Sequence, residues 1–156
     1  MYLLFKLLHV VAVMLFLGNI TTGLFWHAHA ARNRDPRLLA HAMAGIIRSD
    51  RLFTLPGVVA IVITGAVTAG YAGLPILRTP WIAWTLALFV ASGLCFAFRV
   101  APLQRRLLAL ALAGAEGREF EYARYRTVAL RWEAWGAAAL LTPLAGLVLM
   151  VLKPQG

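Results

Sequence analysis

The sequence predicts an all-α polytopic membrane protein, folded as an up-down bundle of four transmembrane helices. Four apolar stretches without a charged residue occupy most of the 156 residues, at positions 7–31, 52–77, 79–98 and 134–152. A hydrocarbon core of about 30 Å needs about 20 apolar residues at 1.5 Å of helical rise each, and every stretch meets or nearly meets that length. Because 62% of the chain is hydrophobic, residues 1–156 are expected to form a single transmembrane domain.

The positive charge of the chain is concentrated in two segments. The formal net charge is +9, and all arginines except Arg78 lie within residues 32–51 and 99–131. Cationic loops are retained on the cytoplasmic side of a membrane, so both segments are expected inside and both termini outside. The position of the arginines in cytoplasmic segments therefore explains the net positive charge, so the charge does not indicate nucleic acid binding, and nucleic acid is excluded as a partner. The prediction is an N-out, C-out protein of a bacterial inner membrane, with the lipid bilayer as its main partner.

The first helix is expected to cover residues 2–27. Lys6 near its outer end and Trp26 near its inner end are residue types that anchor helices at the two interfaces. Its apolar core of about 20 residues is longer than that of a signal peptide and lacks a basic segment ahead of it. We therefore interpret this segment as a retained span.

An amphipathic helix is predicted to follow the first span. Asp35 precedes Pro36 as an N-cap precedes a first helical proline, and apolar residues recur at helical spacing between positions 38 and 47. Two placements are open. The helix can lie on the cytoplasmic leaflet, where its arginines would attract anionic headgroups, or it can dock on the bundle of its own chain.

The second span carries small residues in two adjacent rows. One row contains Ala60, Thr64, Thr68 and Ala72, and the other contains Gly65, Ala69 and Gly73. Such rows let helix backbones approach closely, and close contact is what holds helices together in lipid. We therefore expect this span to be the central helix of the bundle, or to face a second protomer.

The third and fourth spans are expected to be joined by a cytoplasmic helical hairpin. The third helix begins with Trp81 at the outer interface and keeps a helical pattern beyond the membrane until Gly114. The charged segment 116–131 then returns to the fourth span. Pro143 in the middle of that span lacks a backbone donor, which predicts a kink and a carbonyl oxygen left for a neighbouring hydroxyl or water.

His9 is the strongest functional candidate. It lies about 10 Å below the outer end of the first helix, from about seven residues at 1.5 Å each, and an ionisable group at that depth is by default a functional candidate. Its imidazole can ligate the iron of haem b, bind copper or relay a proton. The alternative is a neutral histidine that donates a hydrogen bond to a carbonyl, Thr64 or Thr68. The sequence leaves both open.

A second ligand for His9 is harder to find. The other three spans contain no histidine, so a bis-histidine haem within one protomer is excluded. A five-coordinate haem, an iron backed by Met14 or Met150, and a site shared by two protomers remain open. Both methionines are explained equally well as core filler, because this flexible side chain fills gaps.

Asn19, His27 and Glu133 are further candidates. Asn19 lies deep in the first span, where an interhelical hydrogen bond is its expected role. His27 follows His9 by 18 residues, five whole turns, so the two share a helix face. Glu133 begins the fourth span and is expected to pair with Arg131 or Arg99. A loose metal site at the inner end is also open, formed by His27, His29 and His41.

Several classes of protein are excluded. The chain has no Gly-rich phosphate loop, no Ser-His-Asp set and no paired intramembrane carboxylates, which excludes hydrolases and kinases of the soluble type. Cys95 is the only cysteine, so no intramolecular disulfide and no Cys-rich metal site can form.

The first span carries a family resemblance. It opens with Tyr-Leu-Leu-Phe-Lys-Leu-Leu-His-Val-Val at positions 2–11, continues through Leu17-Gly18 and closes with Trp-His-Ala-His-Ala-Ala at positions 26–31. In these motifs the chain resembles an uncharacterised bacterial family of predicted integral membrane proteins. The resemblance extends over the whole chain and implies a four-helix domain of unknown function with no established activity.

Two distant resemblances concern His9. Leu8-His9, the Trp81 start of the third helix, Arg131-Trp132-Glu133 and Lys153-Pro154 are similar to motifs of the HemJ-type protoporphyrinogen oxidases, which are four-helix haem-associated proteins. This similarity implies that His9 contacts haem. The lysine that those oxidases need early in the third helix is absent, and Thr85 stands near its place. The spacing of Leu-His and Leu-Gly is also similar to the CopD-type copper-resistance membrane domain, which implies copper at His9.

Three functional hypotheses follow. The first is an accessory, non-enzymatic membrane protein with His9 as a haem or metal contact. The second is a membrane redox enzyme acting on a porphyrin, and the third is a structural partner, either in a homo-oligomer or in a larger membrane complex. The surroundings of His9 distinguish them: an enzyme needs a second polar group opposite His9, a cofactor binder needs a cavity beside it, and a structural partner needs neither.

Overall fold

The computed structural model describes residues 1–154, and this part of the chain forms helices joined by turns. The α-helices are α1 (Tyr2–Ala31), α2 (Pro36–Ser49), α3 (Leu55–Tyr71), α4 (Pro80–Cys95), α5 (Ala101–Ala115) and α6 (Tyr122–Leu152). Two five-residue π-helical segments, π1 (Asp50–Thr54) and π2 (Phe96–Val100), join α2 to α3 and α4 to α5. Pro36–Tyr71 and Pro80–Ala115 are therefore continuous helices of 36 residues each.

Four long helices are apolar and long enough to cross a membrane: α1, the two continuous helices and α6. Short connections at residues 32–35, 72–79 and 116–121 reverse the chain after each one. The predicted up-down bundle of four membrane helices is confirmed. So is the projection of the third helix to about Gly114, since α5 ends at Ala115. The first helix continues four residues beyond its expected end at His27.

Prolines mark helix starts and changes of register. The Asp35 carboxylate accepts a hydrogen bond from the backbone N–H of Arg37 at 2.8 Å, which confirms the predicted cap ahead of Pro36. Each π segment is followed within two residues by a proline, Pro56 or Pro102. Proline cannot donate to the carbonyl four residues earlier, so the hydrogen-bond ladder is interrupted where the π register ends.

Helix partners differ between the two halves of the bundle. We call the half that holds Tyr2 and Leu152 the outer half and the half that holds α2, α5 and their turns the inner half, following the predicted orientation. In the outer half, α1 packs on α3 and α4 packs on α6. In the inner half, α2 packs on α5, α1 contacts α2 and α6, and α5 contacts α6. The two outer pairs approach each other where the rings of Phe16 and Phe89 lie 5.6 Å apart.

The expectation that the second span is the central helix is wrong. Among the described residues, α3 contacts only α1 and the adjoining π1. Its small residues do allow close approach, because a Cβ added to Gly65 would come 2.9 Å from Cε1 of His9. A row of small residues allows close packing against one neighbouring helix, however, and here that neighbour is α1.

The amphipathic helix α2 docks on the bundle of its own chain, which is the second of the two predicted placements. Leu39 and Met43 are fully buried, and Ile46 packs against Gly23 of α1. These side chains belong to the largest apolar cluster, which also takes in Leu107 of α5 and Tyr125 of α6. Most burial is therefore in the inner half, while most apolar side chains of the outer half remain exposed, as expected for helices facing lipid.

The prediction for Pro143 is confirmed in its hydrogen bonding. Pro143 lies inside the continuous helix α6 and cannot donate to the carbonyl of Ala139, four residues earlier. The hydroxyl of Ser92 in α4 donates to that carbonyl oxygen at 2.6 Å. A bond lost within α6 is thus replaced by a bond between α4 and α6, at a depth where water is absent.

Candidate functional site

The three candidate residues of α1 lie on one stripe of the helix. The stripe has spacings of three or four residues and consists of His9, Ala12, Phe16, Asn19, Gly23, His27 and Ala30. Its neighbour changes along the helix, because α1 packs on α3 in the outer half and on α6 in the inner half. His9 and His27 therefore share a face, as predicted, but they contact different helices.

The His9 ring is partly buried between α1 and α3. Its Nδ1 lies 3.1 Å from the carbonyl oxygen of Ile61 and 3.2 Å from Oγ1 of Thr64. The Thr64 hydroxyl donates its own proton to the carbonyl of Ala60 at 2.5 Å, so both groups near Nδ1 act as acceptors. A neutral His9 therefore carries its proton on Nδ1.

This tautomer leaves the lone pair of Nε2 available. Nε2 forms no hydrogen bond with the described residues. Metal-bound histidines commonly donate one ring N–H to a carbonyl and offer the other nitrogen to the metal. The hydrogen bond expected of a core histidine is thus present, and the same bond determines which nitrogen would act as a ligand.

Among the described residues, the hydrogen-bonding partners of His9 include no acid or base. Thr85, which stands near the place of the oxidase lysine, donates to the carbonyl oxygens of Trp81 at 2.7 Å and Gly146 at 3.2 Å, so its hydroxyl holds α4 against α6. Met14 lies off the stripe and is 68% exposed. Within residues 1–154, no group of three or more His, Cys, Asp and Glu side chains is arranged to hold a metal.

Asn19 belongs to a buried polar cluster centred on Asp50. The Asn19 amide donates to Oδ1 of Asp50 at 3.1 Å and to Oγ1 of Thr54 at 2.8 Å. The Thr54 hydroxyl donates to Oδ1 of Asp50 at 2.8 Å, and Gln104 donates to Oδ2 at 2.8 Å. The interhelical role expected of Asn19 is present. The cluster joins α1, π1 and α5 at the boundary between the two halves.

Asp50 is a residue that the sequence reasoning missed. It adjoins Arg51 and precedes the apolar stretch that begins at position 52, which made it look like an ordinary polar residue at the end of a span. The continuous helix instead buries it to 7% exposure, and the described residues form no ion pair with it. The available signal was an Asp and an Asn at the same expected depth on consecutive helices.

His27 and Glu133 meet in a second buried cluster. Nε2 of His27 lies 3.0 Å from the hydroxyl of Tyr125, and Nδ1 lies 3.4 Å from Oε1 of Glu133. The same Glu133 oxygen accepts a hydrogen bond from Arg126 at 2.7 Å. The expected pairing of Glu133 with Arg131 or Arg99 is wrong. Arg126 lies seven residues, about two turns, before Glu133 on α6, and the guanidinium of Arg99 instead lies 5.2 Å from the Trp135 ring centroid.

Aromatic rings enclose this second cluster. The His27 ring contacts Trp132 edge-on at 4.8 Å and stacks on Tyr125 at 6.0 Å between centroids. His27 and Tyr125 are completely buried, and the buried Nε1 of Trp132 has no hydrogen-bond partner. The described residues contain no group of three or more His, Cys, Asp and Glu side chains that could hold a metal, so the loose metal site left open for His27, His29 and His41 is not formed. The cluster joins α1 to α6.

The three polar groups of the stripe therefore differ in what they can do. The Asp50 cluster uses its donors and acceptors on each other and holds helices together. In the His27 cluster, Nε2 contacts the Tyr125 hydroxyl, but Nδ1 lies 3.4 Å from Glu133 without a hydrogen bond, and the ring is completely buried. The His9 ring is only partly buried, its Nδ1 is held by a hydrogen bond, and its Nε2 forms none with the described residues. It is the group of the stripe best suited to a ligand.

The comparisons with known proteins are consistent with a membrane chain. A family model described as "Predicted integral membrane protein (DUF2269)" matches residues 3–154. No curated protein and no solved structure matches the chain. The distant similarity to HemJ-type and CopD-type proteins stays a prediction.

Proposed function

Because the chain belongs to the DUF2269 family of predicted integral membrane proteins, we propose that it is a membrane-embedded accessory protein whose His9 binds a haem iron or a metal ion. The observation that carries this proposal is the bond of His9 Nδ1 to the Ile61 carbonyl, which leaves Nε2 as a preset ligand. The proposal treats residues 1–156 as one domain.

The residues around His9 are better suited to binding a haem iron or a metal ion than to forming an oxidase active site. An oxidase needs an acid or base opposite the histidine, but among the described residues Nδ1 contacts the Ile61 carbonyl and the Thr64 hydroxyl, which already donates to Ala60. Haem, when bound, would supply one-electron chemistry; the chain would supply Nε2 of His9 as an iron ligand, and the Ile61 carbonyl would orient the ring. The apolar stretches 52–77, 79–98 and 134–152 contain no histidine, so a second histidine ligand would come from outside the protomer.

An absorption spectrum tests the proposal. The protein is purified in detergent after expression with added haem precursor, and spectra are recorded oxidised and dithionite-reduced. We expect a Soret band that disappears in His9→Ala and persists in His29→Ala, since His29 is exposed and lies off the stripe. A metal assay of the same samples tests copper in parallel.

Loss of neither haem nor metal in His9→Ala would overturn the proposal. The function then favoured is that of a structural partner, in a homo-oligomer or a larger membrane complex. The observation supporting that second candidate is the position of α3, which has α1 as its one helical neighbour besides π1 in the described chain. The side of α3 away from α1 is thus available to a second copy or to another membrane protein.

We further propose that the protein lies in a bacterial inner membrane with both termini outside. The two arginine-rich segments, 32–51 and 99–131, fall in the same inner half of the bundle, as the positive-inside rule requires of cytoplasmic segments. Fusions after residue 154 provide the test: alkaline phosphatase is expected to be active there and green fluorescent protein dark. The reverse result would place the termini inside.

A further inference from the structure

A groove runs between α1 and α2 on the surface of the inner half. Its volume is about 530 Å³, within the usual range for a site that holds a small molecule. One wall is a row of α1 residues spaced three or four apart, Asn19, Thr22, Trp26, His29 and Asn33. The other wall is formed by α2, which lies antiparallel because only residues 32–35 separate the helices. His41 and Gly45 belong to that wall.

The position of the groove relative to the membrane follows from the positions of its two ends. Asn19 contacts Asp50, just before the apolar stretch beginning at residue 52, so this end lies at the boundary of the hydrocarbon. Asn33 lies 14 residues further, about 21 Å along the helix. The headgroup layer of one leaflet is about 5 to 7 Å thick, so it covers about the first turn beyond Asn19, beside Thr22. Trp26, which is 53% exposed, lies about 10 Å beyond Asn19, at the aqueous edge of that layer.

The charge along the groove has one sign. On α2, Arg37 precedes His41 by one turn, and Arg48 follows Gly45 by three residues, so exposed arginines flank the groove-lining residues. The carboxylate of Asp35 is engaged in capping α2, and that of Asp50 is buried. The sequences of α1 and α2 contain no other acidic residue. An occupant with a negative charge is therefore favoured over a neutral one.

We propose that the groove binds an anionic phospholipid of the leaflet at the inner end of the bundle. Its headgroup phosphate lies between the arginine-flanked wall of α2 and the polar row of α1, and its glycerol end lies beside Asn19, at the end of the groove nearest the hydrocarbon. Position in the headgroup layer, volume and charge all favour this occupant. The proposal does not depend on a ligand at His9, which is in the outer half.

Thermal unfolding in detergent tests the proposal with phosphatidylglycerol and phosphatidylcholine as probes. For a chain of this length, a phosphatidylglycerol concentration about 100 times the Kd is expected to raise the Tm by about 5 °C or more. Phosphatidylcholine is expected to raise it far less. Native mass spectrometry of the same samples should show one tightly held phosphatidylglycerol.

Two matched pairs of variants locate the effect. Gly45→Phe places a ring in the groove, and no atom lies within 4 Å of the added Cβ, so the fold can accept it. Gly18→Phe on α1 is its control, since the Cβ there is equally unobstructed and the position is outside the groove. We expect Gly45→Phe to abolish the Tm shift and Gly18→Phe to keep it.

The second pair keeps the proposal testable if Gly45→Phe does not fold. The double variant R37Q/R48Q should reduce the preference for phosphatidylglycerol, while R105Q/R106Q, with the same change of charge on α5, should preserve it. Equal shifts with both lipids, or equal loss in both double variants, would overturn the proposal. So would a dimer that Gly45→Phe dissociates without any lipid preference, because the groove would then be covered by a second copy.

Discussion

Replacing Asp50 with alanine is expected to lower the free energy of unfolding by about 4 kcal/mol, because the buried donors Thr54 and Gln104 and the partly buried Asn19 lose this acceptor together. Asn19, Thr54 and Gln104 all donate to this one carboxylate. Leaving a buried donor without a partner costs about 1–3 kcal/mol, and the three share the effect rather than adding it in full. Reversible unfolding by denaturant in mild detergent would measure the loss.

Two variants control the Asp50 measurement. Asp50→Asn keeps the shape and one accepting oxygen, so it should be less damaging than Asp50→Ala, although its amide meets another donor. Glu119→Ala removes an exposed carboxylate and should change stability by at most about 0.5 kcal/mol. If Asp50→Ala and Glu119→Ala proved equally mild, the buried cluster would not be the joint between α1, π1 and α5.

The second large effect is expected at His27. His27→Leu keeps the approximate volume but removes the partner of the buried Tyr125 hydroxyl and the neighbour of Glu133. We expect a loss of about 2 kcal/mol in the free energy of unfolding, close to the cost of one unsatisfied buried hydroxyl. The same unfolding experiment measures it.

His29→Leu is the matched control for His27→Leu. His29 lies two residues further on the same helix and is exposed, and its replacement by leucine is the same chemical change. Its replacement should leave stability within about 0.5 kcal/mol of the wild type. Tyr125→Phe should remove most of the difference, because a His27→Leu change in that background no longer leaves a hydroxyl unpaired. Equal losses at His27 and His29 would contradict the role given to the buried cluster.

Much of the candidate site was visible in the sequence. Asn19, His27 and Glu133 are polar residues within a predicted span or at its end, and each belongs to a buried cluster. What the sequence did not show was their pairing. Glu133 has several arginines within reach on its own helix, and a linear pattern does not distinguish Arg126 from Arg131.

Asp50 shows a second limit of prediction from the sequence, which concerns whether a residue at the end of a span is buried. Hydropathy divides the segment 36–71 into a polar helix and an apolar span, with Asp50 at the border. The structure makes one helix of both, and π1 places Asp50 and Thr54 towards Asn19. Whether a border residue is exposed or buried depends on which helices extend beyond the membrane beside it, and that is a property of packing.

The sequence by itself determined the fold class, the number of spans and their alternating direction. It also determined that Pro143 leaves a backbone carbonyl free to accept a hydrogen bond from a hydroxyl. These follow from local quantities: apolar length against bilayer thickness, short connections, and a missing backbone donor. Only the tertiary structure decided which helices touch. It placed α3 at the edge, docked α2 on α5 and brought His27 to Glu133. In lipid, burial of apolar surface does not select neighbours, so the choice rests on close fit and polar contacts between residues far apart in the chain.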